Sequence, residues 1–187
     1  EDFFHHRGRS LCHFASCPTE PQTRNPHLLS HLCLLPPLRR CLTMATTKYD
    51  VFLSLRFCEA ERAAQVLKQA LEQRGMRVFL CRQSPGDDMT KAITDALHKC
   101  KMAVILGTES YAKETSVSFS TYQELRYIIS RRKPFFLVKM CDDFAEREAR
   151  FRLTEDIMHY PWQPNQNSTP IYVPTDLVDQ IAAKLQV

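Results

Sequence analysis

Tyr49-Asp50-Val51-Phe52-Leu53-Ser54-Leu55-Arg56 is the stretch on which the reading of this chain turns. From Val51 to Leu55 it carries no charge and no polar alternation. A short continuous apolar run of this kind suits a strand covered on both faces, as in the middle of a parallel sheet. Helical and strand patterns then alternate to the C-terminus. If this is the central strand, the chemistry belongs beyond its carboxyl end, near Ser54 to Arg56.

The elements that follow support that frame. Glu59 to Arg74 reads as a helix with Ala63, Leu67, Ala70 and Leu71 on one face, and Gly75 stands where a left-handed cap belongs. Met76 to Leu80 is the second strand, and Cys81 to Gly86 a loop with a Pro85-Gly86 turn. Asp87 or Asp88 caps a helix through about Lys99, followed by a third strand over Met102 to Gly107. Phe119 to Ser130 is a third helix ended by the positive run Arg131-Arg132-Lys133. A fourth strand over Pro134 to Met140, a short helix within 142–156, a short strand over Ile157 to Trp162 and an amphipathic helix over Thr175 to Leu185 complete the chain. Strands separated by helices of about 10–16 residues mean βαβ units and a parallel sheet. The expected fold is α/β: a flavodoxin-like, doubly wound five-stranded parallel sheet of order 2-1-3-4-5, flanked by helices.

Composition narrows the class. The 187 residues suit one domain with an appendage, and 44% hydrophobic with 25% charged residues is ordinary for a globular chain. The net charge of +4 is mild and not gathered into one run, which argues against nucleic acid as partner. No apolar stretch approaches the roughly 20 residues of a membrane helix. The eight cysteines include no Cys-x-x-Cys pair, and no His, Cys and carboxylate cluster has ligand spacing, so no metal is expected. Cys58, Cys81, Cys100 and Cys141 sit in or beside elements, as buried thiols of a reducing compartment do, and a cytoplasmic location is expected.

Residues 1–43 differ from the rest. They hold Cys12, Cys17, Cys33 and Cys41, five of the eleven prolines and five of the seven histidines, without a useful period. They lack the clean apolar core of a signal peptide. Met44 stands just before the first strand, so this segment is expected to be either a disordered leader or a non-native upstream extension, with the domain spanning 44–187.

Fold alone does not choose a function. A flavodoxin needs a phosphate-cradling loop of Ser, Thr and Gly after strand one, where this chain has Leu55-Arg56-Phe57-Cys58-Glu59. A response-regulator receiver needs an acidic pair there and an aspartate ending strand three, where this chain has Leu106-Gly107-Thr108. The opening stretch instead closely resembles the first box of the TIR (Toll/interleukin-1 receptor) domain family, whose plant members carry Tyr-Asp-Val-Phe-Leu-Ser-Phe-Arg. Arg82-Gln83-Ser84-Pro85-Gly86 is similar to the Arg-Asp-x-x-Pro-Gly of the family's BB loop, with Gln83 in place of Asp. Val104-Ile105-Leu106 with Ser110-Tyr111-Ala112 resembles its third strand and Ser-x-x-Tyr turn. Tyr122-Gln123-Glu124-Leu125 resembles the Cys-Leu-x-Glu-Leu of its third helix, although Phe119-Ser120-Thr121-Tyr122 stands where plant members have Trp-Cys. The resemblance runs from about residue 48 to the end and is weaker after Met140.

That resemblance implies a signalling domain that self-associates, with NAD as substrate rather than as cofactor and other TIR domains as partners. Some members hydrolyse NAD and release nicotinamide, and Glu124 matches their catalytic glutamate. A lone carboxylate suits the chemistry: nicotinamide leaves a pyridinium as a neutral molecule, so no strong general acid is needed. Ser54, Arg56, Phe57, Ser110 and Tyr122 are the candidate substrate-binding residues. Arg82, Ser84, Pro85, Gly86 and Asp87 form the candidate BB-loop contact between domains. Each has a plainer reading: Glu124 as a solvated helix glutamate, Arg56 as the ion-pair partner of Glu59 or Asp87, Tyr122 as packing, and the loop as an exposed turn. The alternative to the enzyme is a catalytically silent interaction module.

Overall fold

The computed structural model describes residues 47–81, 88–115, 120–154, 156–165 and 167–186. In chain order the elements are β1 (Tyr49–Leu55), α1 (Phe57–Gln73), β2 (Val78–Phe79), α2 (Met89–Lys99), β3 (Cys100–Gly107), α3 (Thr121–Ser130), β4 (Phe135–Lys139), α4 (Arg147–Arg152), β5 (His159–Pro161) and α5 (Thr175–Leu185). The sheet is five-stranded and parallel, in the expected order β2-β1-β3-β4-β5. The expectations for residues 1–43 and for the loop over Arg82 to Asp87 lie outside the described residues.

β1 is buried from Asp50 to Leu55 because it has neighbours on both edges and helices over both faces. Its side chains alternate across the sheet. Val51, Leu53 and Leu55 pack with α1 and α5, together with Met102, Val104 and Leu106 of β3. Phe52 faces the other way, toward α2, α3 and α4, together with Ala103 and Ile105. Ser54 is in phase with Phe52, so it too is delivered to the α3 face. At the opposite end of the strand, Asp50 accepts from the Arg77 backbone and guanidinium and pairs with Lys101 at 2.9 Å.

Element bounds depart from the sequence reading for local reasons. β2 spans two residues where five were expected; it is an edge strand, and Met76 and Leu80 are buried without joining the ladder. β3 starts two residues early, since Cys100 already pairs with Tyr49 and α2 runs into the strand without a loop. β5 is trimmed to three residues at a strand edge that contains Pro161, a residue with no N–H to donate. α1 begins at Phe57, directly after β1, and ends at Gly75, whose φ of +81° is the left-handed cap; Met76 N–H bonds the Leu71 carbonyl across it. Asp88 caps α2 by accepting from Lys91 N–H at 3.0 Å. α5 has its expected bounds.

Candidate active site

The carboxyl end of β1 and the N-terminal half of α3 meet at a chain of hydrogen-bonded side chains. Ser54, fully buried, lies with its Oγ 2.6 Å from the Tyr111 hydroxyl and donates to Glu124 Oε2 at 2.5 Å. Glu124 is 8% exposed. It sits in the first turn of α3, where Ser120 caps the helix and the Gln123 side chain accepts from Ser120 N–H at 2.8 Å. Tyr111 is held below by a tight loop: Ala112 has a φ of +65°, left-handed and unfavourable for an alanine, and its N–H donates to Thr121 Oγ1 at 3.1 Å. The strain of Ala112 is therefore anchored to the first residue of the helix that carries Glu124.

Burial sets the electrostatics here. It pushes the Glu124 carboxyl up to about 7, against the opposing pull of the Ser54 hydrogen bond. The same burial, with the Glu124 charge, pushes the Tyr111 phenol far above its ordinary range, so that it stays a neutral hydroxyl. Cys81, at the carboxyl end of β2, is also raised by burial and by Glu124.

A second network stands beside the first. Arg56 occupies the position before α1 but makes no side-chain cap. Its Nε donates to Ser110 Oγ at 2.9 Å and lies 3.9 Å from Glu59 Oε1. Ser110 in turn donates its hydroxyl to Glu59 and its N–H to Glu59 Oε2 at 3.3 Å. Burial raises the Glu59 carboxyl, but the Ser110 bonds and the Arg56 charge outweigh it, and the group lies below its ordinary value. This triangle ties the β1–α1 junction to the loop after β3, so Arg56 is both the ion-pair partner of Glu59 and a fixed cation.

Both networks open on one cleft of about 250 Å³, lined by Leu55, Arg56, Phe57, Cys58, Cys81, Met89, Ile93, Thr115, Ser120, Thr121 and Glu124. The sequence candidates thus separate into layers. Glu124, Arg56 and Phe57 line the cleft. Ser54 lies beneath Glu124, and Ser110 stands behind Arg56. Tyr122 is half-buried with the Arg126 guanidinium 5.5 Å from its ring centroid, and it is not among the described residues of the cleft. Arg82, Ser84, Pro85, Gly86 and Asp87 lie outside the described residues. Three residues that sequence reasoning passed over are Cys81, Tyr111 and Thr121. Cys81 had a signal, since it lies just beyond the carboxyl end of a strand, where doubly wound sheets place their sites.

The described residues form a doubly wound α/β domain whose cleft lies at the carboxyl end of its central strand. A family model described as TIR domain matches residues 51–165. The chain belongs to the TIR domain family. It is 32% identical over 90 residues to the "Probable 2' cyclic ADP-D-ribose synthase" of Brachypodium distachyon, a match covering 46% of this chain and 38% of that protein. Among solved structures it is similar to the TIR domains of the activated Roq1 resistosome, at 18% identity and a TM-score of 0.50, over 73% of this chain and 98% of that one. It is also similar to the TIR domain of the Toll-related receptor TRR-2 from Hydra magnipapillata, at 16% identity and a TM-score of 0.47, over 61% of this chain and 84% of that one. Among the described residues no helix is long and apolar enough to cross a membrane, and the four cysteines are free.

Proposed function

We propose that this domain cleaves the bond between nicotinamide and ribose in NAD, with Glu124 as the catalytic carboxylate. One observation carries the reading: Glu124 is the carboxyl group that lines the cleft among the described residues, and Arg56 lines the same cleft. The name of the Brachypodium relative, which pairs a TIR domain with cyclic ADP-ribose chemistry, supports it.

In this reading the C1'–N bond breaks, its electron pair passes to the pyridinium nitrogen, and nicotinamide leaves neutral. Positive charge is left on C1' and the ring oxygen. An ionised Glu124 stabilises that charge and holds the ribose hydroxyls, and buried surroundings strengthen the interaction. Ser54 fixes the carboxylate's orientation from behind. Water then attacks C1' to give ADP-ribose and a proton, or a hydroxyl elsewhere in the same cation attacks C1' and loses its proton to give a cyclic form. Arg56 is placed to meet the ribose or the pyrophosphate.

The cleft is smaller than the roughly 300–1,000 Å³ usual for small-molecule sites. It suits the nicotinamide riboside end of the substrate, with the remainder lying outside it. A second TIR domain, docked through the loop over Arg82 to Asp87, would then complete the site, which couples activity to self-association in cytoplasmic signalling.

The test is to incubate the full chain at high concentration with NAD and follow nicotinamide. Release by the wild type, cut at least about 100-fold in Glu124→Gln, is expected. No release by assembled wild type, or undiminished release by the variant, would leave the domain as an association module alone.

A further inference from the structure

A second cavity opens at the same carboxyl edge of the sheet, two strands away from β1. It measures about 210 Å³ and is lined by Leu137, Lys139, Asp143, Phe144, Arg150, Leu153, Thr154 and His159. Lys139 ends β4, Arg150 comes from α4 and His159 opens β5, so three different elements contribute to it. Its floor is apolar, since Leu137, Phe144 and Leu153 are all buried. α3, which carries Glu124, packs against α4 and belongs to the same apolar layer as that floor.

This cavity brings together two cations that, like several others among the described residues, form no ion pair. Arg56, Arg74, Arg77, Lys68, Lys99, Lys101 and Arg152 each have a carboxylate partner. Among the described residues, neither Lys139 nor Arg150 forms an ion pair, although both line one cavity with Thr154 and the imidazole of His159. His159 has one ring nitrogen committed, Nδ1 donating to the Ile157 carbonyl at 3.1 Å, which leaves Nε2 to accept from a ligand hydroxyl. Two cations without an ion-pair partner beside a hydroxyl suit an oxyanion. Asp143 on the same wall repels a bare anion but accepts from a hydroxyl, which selects an anion attached to a polyol.

We propose that this cavity is a binding site for the phosphate monoester of a small sugar, with Lys139 and Arg150 on the phosphate, Thr154 as a further donor, and Asp143 and His159 Nε2 accepting from sugar hydroxyls. It is independent of the Glu124 cleft and of any activity there. Its volume suits a phosphorylated pentose and excludes a dinucleotide.

Ribose 5-phosphate, ribose and inorganic phosphate are the probes, titrated into the full-length ¹⁵N-labelled chain and followed by amide and His159 ring shifts. Saturable shifts at Lys139, Arg150, Thr154 and His159 with ribose 5-phosphate, weaker with phosphate and absent with ribose, are expected. Lys139→Gln and Arg150→Gln should each weaken binding at least tenfold with amide dispersion retained, and Asp143→Asn should erase the preference for ribose 5-phosphate over phosphate. His159→Gln, on an exposed position, provides a variant that keeps the fold and lowers affinity. Non-saturating shifts, or saturable binding that survives both cation variants, overturns the proposal.

Discussion

Ser54 and Glu124, 70 residues apart in the chain, share a 2.5 Å hydrogen bond in which the serine hydroxyl donates to the carboxylate. The bond joins the central strand to α3 and serves the ionised form of Glu124, while burial serves the neutral one. Burial prevails, and the group titrates at about 7. A small change to either influence therefore moves its charge within the physiological range.

Ser54→Ala removes the only one of the two influences that favours ionisation. The wild-type kcat/KM for nicotinamide release should rise with pH through about 7. In the alanine variant that rise should move up by about one pH unit, since a hydrogen bond to a charged group contributes about 1.5–3 kcal/mol. Activity should be reduced at pH 7 and largely regained at pH 8.5. An unmoved midpoint would mean that the serine does not govern the charge.

Glu124 also links stability to pH. The folded chain keeps this proton up to about pH 7, whereas the unfolded chain releases it near 4.5. Folding binds a proton between those values, so the group's contribution is complete below 4.5 and lost as pH rises through 7. A gap of about 2.5 pH units corresponds to about 3 kcal/mol. Urea unfolding at pH 5 and pH 8 should show Glu124→Gln gaining on the wild type by about that amount at the higher pH.

Arg56→Ala should raise KM for NAD about tenfold and leave kcat within threefold, because the guanidinium grips the substrate rather than the reacting bond. Arg56→Lys should not restore KM. A lysine ammonium lacks the fixed fork that lets one side chain hold Ser110 and still present an N–H to the cleft.

Gly107 ends β3 beneath the ring of Phe144, and a Cβ there would stand 2.9 Å from two ring carbons. Gly107→Ala should cost about 1–3 kcal/mol in urea unfolding. Combining it with Phe144→Leu should recover part of that loss, which a purely backbone effect would not do.

The fold was legible because β1 advertises two covered faces and because the helices carry their own caps. Gly75, Asp88 and the bounds of α5 needed nothing beyond local chemistry. Short edge strands were less readable: the backbone pairing that defines β2 and β5 depends on a neighbour on one side alone, and the ladder is shorter than the buried run. At the site, Ser54's direction follows from strand alternation once Phe52 is placed. Glu124 became a candidate through the family resemblance, since one glutamate beside the apolar residues of a helix's buried face has no signature of its own. Tyr111 was quoted as part of a turn, yet nothing local shows that its ring reaches a serine 57 positions earlier. That contact depends on a left-handed alanine held by Thr121, a conformation that alanine itself does not favour.

Tyr111 has a further effect on how the domain handles a proton. It is fully enclosed, so the file of hydroxyls behind Glu124 ends blindly inside the protein. Among the described residues, the cleft is the carboxyl group's door to water. A ligand seated there closes the door. Proton exchange in the complex then runs through the ligand's own hydroxyls and any water admitted with it.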